Sequence, residues 1–148
     1  MRAPPAAVFL CREHSLKARK ASPPGARPAR RSPAQRAGAE AEARACNYLR
    51  ARGLRILARN VRYRAGEIDA IALDGDTWVF IEVRSRSRTG DAAASVDARK
   101  QCKIRRAAQL YLLNRFGDRW PPCRFDVVLV ECGRIEWLAA AFNGDEDP

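Results

Sequence analysis

GEIDAIALDGDTWVFIEVRSR, residues 66–86, decides how this chain folds. Two apolar-rich stretches, Glu67 to Leu73 and Thr77 to Arg84, flank Asp74-Gly75-Asp76. Two strands joined by a tight turn account for that pattern. With Gly75 and Asp76 as the two-residue turn, paired positions sum to 151. Asp69 then stands opposite Glu82, and Glu67 opposite Arg84. Alternate strand residues share a face, so these four side chains lie together, with Ile71–Phe80 and Leu73–Trp78 deeper along the same face. The other face carries Ile68–Val83, Ala70–Ile81 and Ala72–Val79, all apolar.

Two opposed carboxylates in such a hairpin need a physical reason. Directly paired residues hold their Cβ atoms about 4.5–5.5 Å apart, where like charges destabilise a sheet. A divalent cation supplies one, because hard carboxylate oxygens suit Mg²⁺ or Mn²⁺ rather than zinc. The competing explanation is a solvated strand end, neutralised by Arg62 or Arg64. A slip of one residue in the turn would separate the pair onto opposite faces.

Outward from the hairpin, Ala39 to Arg52 is rich in helix formers and Gly53 stops it, with Ala41, Ala45, Tyr48 and Leu49 as the buried stripe. Leu54 to Val61 reads as a strand ended by RYRAG. Ser85 to Ala94 is a polar loop, and Ser95 caps a helix running to about Asn114. In that helix Ile104, Ala108, Tyr111 and Leu112 face the core, while Arg99, Lys103 and Arg106 form an exposed stripe. Arg124–Glu131 and Arg134–Leu138 form a hairpin turned at Cys132-Gly133. The order αβββαββ, with no internal repeat, predicts one α/β domain: a mixed sheet flanked by helices, over residues 37–142.

The chain has 148 residues, 47% of them apolar, enough for one core. Its longest apolar runs fall short of the roughly 18–20 residues that span a bilayer. The net charge of +11 favours polyanionic partners. Residues 1–36 hold nine Lys or Arg and one Glu, a net of +8, in a Pro-, Ala- and Arg-rich stretch expected to be a disordered basic tail. Ala3–Leu10 is too short and too interrupted by Pro4 and Pro5 for a secretory signal, and an over-extended translation start is the alternative for the whole tail. Segment 84–124 carries a further net of +8, and residues 143–148 form an acidic tail. Five cysteines without CxxC spacing read as reduced thiols in the cytoplasm.

GEIDAIA (66–72), FIEVRSR (80–86), VDARKQ (96–101) and RFDVV (124–128) resemble the YraN family, UPF0102, over roughly Gly38 to Phe142. That family is itself similar to archaeal Holliday-junction resolvases. The resemblance therefore implies a restriction-endonuclease-like, PD-(D/E)XK core. It makes Asp69 the metal-binding aspartate and Glu82 the acidic residue of the (D/E)XK element. Arg84 stands where that element carries lysine; it can stabilise negative charge but cannot act as a base. Lys100 on the following helix is the residue that would substitute in space. Glu42, in a GxxxE pattern from Gly38, resembles the extra acidic residue of resolvase-type nucleases, and Glu67 is either a further ligand or the partner of Arg84.

Two functions follow from the reading. The first is a Mg²⁺- or Mn²⁺-dependent endonuclease acting on DNA, branched structures included. Metal-activated water attacks the phosphodiester there, and Arg86, Arg88, Arg99, Lys103 and Arg106 contact nucleic-acid phosphates. The second is a nucleic-acid-binding module of the same fold without turnover, which Arg84 in place of lysine favours. A homodimer and a protein partner both stay open. A ribosomal-type RNA binder is disfavoured, since the folded part is only mildly basic and shows no aromatic platform.

Overall fold

Ser32 opens the first helix with a reciprocal cap: its hydroxyl accepts the Gln35 N–H at 3.2 Å, and the Gln35 side chain accepts the Ser32 N–H at 2.9 Å. With Pro33 in the first turn, helix α1 runs Pro33–Ala51, six residues earlier than the helix-former pattern predicts. Residues 33–36, assigned to the tail by composition, are thus its first turn; the capping box Ser32-Pro33-Ala34-Gln35 was the overlooked signal. The computed structural model describes residues 31–85 and 96–144. The expectations for residues 1–30 and 145–148, and for Arg86, Arg88 and Ser95, fall outside the described residues.

Gly53, at φ 93°, ends α1, and the Leu54 N–H returns to the Leu49 carbonyl at 3.1 Å. Strands β1 (Arg55–Tyr63), β2 (Gly66–Asp74) and β3 (Thr77–Ser85) follow, then α2 (Ala98–Phe116), β4 (Cys123–Glu131) and β5 (Arg134–Phe142). The order αβββαββ is the one read from sequence. The five strands form one mixed sheet in the order β1-β2-β3-β4-β5, antiparallel except for the β3–β4 pair. That parallel pair is possible because α2 carries the chain back across one face.

Each helix covers one face. On α1, Ala41, Ala45, Cys46 and Leu49 pack on Ala70, Ala72, Val79, Ile81, Val128 and Val130. On α2, Ile104, Ala107, Ala108 and Leu112 pack on Ile71, Trp78, Phe80, Phe125, Val127 and Leu129. Asp97, two residues beyond the cap expected from sequence, caps helix α2: its carboxylate accepts the Lys100 N–H at 2.8 Å. Strand β5 runs four residues past Leu138, through Ala139–Ala141, because Phe142 pairs with Phe125 and stacks on it at 4.9 Å. Alanines carry no strand signal, so only the partner strand defines that end.

None of the four described cysteines forms a disulfide. Among the described residues no helix is long and apolar enough to cross a membrane.

Candidate functional site

The β2–β3 ladder follows the predicted register from Asp74↔Thr77 to Ala70↔Ile81 and then stops. The two-residue turn makes Asp74↔Thr77 a hydrogen-bonded pair, so by alternation the Val83 N–H would next turn to Ile68. Instead it donates to Oδ2 of Asp69 at 2.8 Å. A side-chain carboxylate has taken the place of a main-chain carbonyl, and the two strands part at this point.

The parting has a visible cause on β2. Ile68 packs with Ile71 and Phe80 on the α2 face, whereas Ala70 and Ala72 face α1. Strict alternation puts Ile68 with Ala70, so the phase of β2 slips at Asp69. Across β1 the pairs Arg59↔Ala70 and Val61↔Ile68 flank Asn60, whose φ of 53° is left-handed. Asn tolerates that conformation better than most residues. The predicted Glu67–Arg84 pair is therefore not formed. Glu67 meets Arg62 at 3.5 Å and Lys100 at 3.8 Å instead.

Lys100 arrives from α2. Its ammonium lies 3.3 Å from Oε1 of Glu82, and its side chain is 29% exposed. Two features hold it there. The Asp97 cap places Lys100 in the first turn of α2. Gly66 lets α2 approach β2 closely: a Cβ there would collide with the Lys103 carbonyl oxygen and lie 2.8 Å from its carbon. The Asp97 carboxylate complements the positive end of the helix dipole, and Lys100 follows it in the first turn.

The electrostatics are unusual for a strand. Glu82 is only 6% exposed, and its Oε2 is fully buried and meets no hydrogen-bond donor among the described residues. Burial, reinforced by the charge of Asp69, pushes the Glu82 carboxyl up to about 7, with Lys100 and Arg84 pulling the other way. Burial, with the charge of Glu67, also raises Asp69, against the lowering effects of the Val83 N–H, Lys100 and a side-chain hydrogen bond with the Glu82 carboxyl. Desolvation raises the neighbouring Cys46 thiol, which feels both Glu42 and Asp69.

Of the residues singled out in the sequence, Asp69, Glu82 and Lys100 come together, and Glu67 joins them through Lys100. Arg84 is half-buried on β3, close enough for its charge to act on Glu82. Glu42 faces β1, with a carboxylate oxygen 3.8 Å from Arg59. Arg99, Lys103 and Arg106 are exposed on α2, as expected. Among the described residues no three His, Cys, Asp or Glu side chains gather into a set that could hold a metal ion. The donor set is a pair. Two carboxylates still fit Mg²⁺, which keeps several waters and commonly takes one or two carboxylates with substrate phosphates. The orphaned Glu82 Oε2 is the oxygen left over for such a cation.

Sequence reasoning missed a cleft of about 530 Å³ between the N-terminal half of α1 and β1, lined by Arg31, Gln35, Arg59, Asn60 and Arg62 among others. Its only trace in the sequence is the basic run Arg59–Arg62 in an edge strand, which reads there as a solvated face.

Residues 41–130 match the model of the uncharacterised protein family UPF0102. A UPF0102 protein of Bordetella petrii is 48% identical over 127 residues, covering 82% of this chain and 78% of that protein. One from Dechloromonas aromatica is 49% identical over 111 residues, 74% of this chain and 90% of the relative. One from Symbiobacterium thermophilum is 52% identical over 101 residues, 67% and 85% respectively. The match takes in the carboxylate hairpin, Lys100 and most of the sheet, and the chain belongs to the UPF0102 family.

Proposed function

We propose that this protein is a divalent-metal-dependent endonuclease with a PD-(D/E)XK-like core, acting on the phosphodiester backbone of DNA. The observation that carries the reading is the orphaned Oε2 of Glu82, buried beside Asp69 where the β2–β3 ladder ends. A buried carboxylate oxygen without a partner costs on the order of 1–3 kcal/mol, and a site that binds a cation explains its retention.

Asp69 and Glu82 are the residues that would hold Mg²⁺ or Mn²⁺. Bound there, the ion would polarise the phosphodiester and lower the pKa of a water molecule. The Val83 N–H holds Oδ2 of Asp69 at 2.8 Å and restrains its rotamer, and Oδ1 takes no part in that bond. Lys100, tethered by Glu67 and Glu82, supplies the cation that the (D/E)XK pattern places at position 84. Its ammonium can stabilise charge developing on the phosphate, and it can exchange a proton, which Arg84 cannot. Arg84 adds a second fixed positive charge. The exposed Arg99, Lys103 and Arg106 supply sequence-independent phosphate contacts.

One observation favours a nucleic-acid-binding module without turnover. Lys100 at 3.3 Å already neutralises Glu82 internally. The two readings part in one experiment. Purified protein is incubated with labelled linear, flapped and four-way DNA in Mg²⁺, Mn²⁺ or EDTA, beside Asp69→Asn and Lys100→Ala. Asn keeps an acceptor for the Val83 N–H while removing the charge. Metal-dependent cuts that fall by at least about 10²-fold in both variants are the expected result. Retarded bands without cuts, equal for all three proteins, would leave the binding module.

A further inference from the structure

The cleft between α1 and β1 lies apart from the Asp69, Glu82 and Lys100 cluster. Three guanidinium groups line it, from Arg31, Arg59 and Arg62, with the amides of Gln35 and Asn60. The one acidic lining residue, Glu42, is engaged with Arg59. Among the described residues no aromatic or large aliphatic side chain lines it, so they offer no surface for stacking a base or burying an apolar ligand. Its donors suit oxyanions.

Gly38 provides a second and independent observation. It sits inside α1, where glycine costs stability relative to alanine. A Cβ there would meet nothing within 4 Å, so no packing among the described residues calls for glycine. Gly38 lines the cleft, and close approach of a ligand to helix backbone is a standard reason to keep one.

The cleft is also joined to the carboxylates. Arg62, 75% exposed at its side chain, pairs with Glu67; Glu67 pairs with Lys100, and Lys100 with Glu82. Asn60, on the cleft wall, falls opposite Asp69 between the pairs Arg59↔Ala70 and Val61↔Ile68.

We infer that this cleft binds the phosphodiester backbone of a DNA strand on the α1 side of the sheet, so that Asp69 and Glu82 lie between two basic surfaces, α2 on one side and Arg31, Arg59 and Arg62 on the other. Glu42 acts here as a positioning residue that orients Arg59. The inference rests on the nucleic-acid reading above, but not on turnover.

The test is fluorescence anisotropy with a short fluorescein-labelled DNA oligonucleotide, in EDTA and across a salt series, so that cleavage plays no part. The full chain is compared with Arg31→Gln/Arg62→Gln and Gly38→Glu. Both changes fall on exposed or open positions, and thermal melts check that they fold. The double variant is expected to bind about tenfold more weakly, with a log–log salt slope smaller by about two. Gly38→Glu, which sets a carboxylate in the cleft, is expected to weaken binding at least as much. Gly38→Ala, a folding control, is expected to raise the melting temperature. Unchanged affinity and slope in both test variants would overturn the inference, as would a full chain that does not bind the oligonucleotide in EDTA. Loss of cutting in Asp69→Asn reports on the carboxylates alone, so failure of the nuclease reading and failure of this one are separate results.

Discussion

Asp126 and Glu82 lie on neighbouring parallel strands, Ile81 pairing with Asp126 and Glu82 with Val127, and both are withdrawn from solvent. Their surroundings differ completely. Asp126, fully buried, receives Nε and a terminal nitrogen of Arg124 at 3.0 and 3.2 Å, the Trp137 indole N–H at 2.9 Å and the Ala140 N–H at 2.9 Å. Arg124 reaches on to Asp74 at 2.8 Å. Its donors come from Arg124 on β4 itself and from Trp137 and Ala140 on β5, so this carboxylate cross-links the two strands. Glu82 has one ion pair and one orphaned oxygen beside a second carboxylate. A buried acid whose lone pairs are all used holds a fold together. One left incomplete among like charges is held by the fold for another purpose.

The contrast makes opposite predictions for removing the two charges. Asp126→Ala leaves Nε of Arg124 and the Trp137 indole N–H without their acceptor, and is expected to cost about 3 kcal/mol in urea denaturation. A cost below about 1 kcal/mol would break the comparison. Gly66→Ala is expected to cost about 1–3 kcal/mol by forcing α2 away from β2 at Lys103. It sharpens the contrast, because it displaces Lys100 from Glu82 while the Asp126 network, on the other face, keeps its bonds.

Glu82→Gln is expected to cost nothing at pH 8 and to stabilise by about 1 kcal/mol, since it removes a buried charge facing Asp69 while Lys100 keeps Glu67 and solvent. The pH dependence has a definite sign. The Glu82 carboxyl is raised in the folded state from its ordinary 4.5 to about 7. Its contribution is thus fully present below about 4.5 and is lost as pH rises through about 7. The wild-type melting temperature is expected to fall across that window for this reason, and the Gln variant to fall less. Equal slopes for the two proteins would show that Glu82 is not the buried acid described here.

Much of this was legible in the chain. The Asp74-Gly75-Asp76 turn allows only a short hairpin loop, and apolar residues on both faces hold the register, so the sequence alone brings Asp69 near Glu82. The αβββαββ order follows from helix formers bounded by Gly53 and from strand stretches bounded by turns. The Arg31–Arg62 cleft was not legible. Its walls, residues 31–42 and 59–62, lie on separate elements, and each reads alone as solvated polar surface. The Glu67–Arg84 pair failed for a related reason: extrapolating a ladder assumes that it continues, and Asn60 on another strand marks where it does not.

Local chemistry therefore determined the elements, the hairpin register and the identity of the two acids, because turn geometry and side-chain period act over a few residues. Tertiary structure alone decided where the β2–β3 ladder ends, which cation meets Glu82, and that Lys100 rather than Arg84 reaches it. Those outcomes depend on how closely α2 docks at Gly66 and on a left-handed residue in β1. Such distances are set by packing between segments far apart in the chain, and no spacing within one segment encodes them.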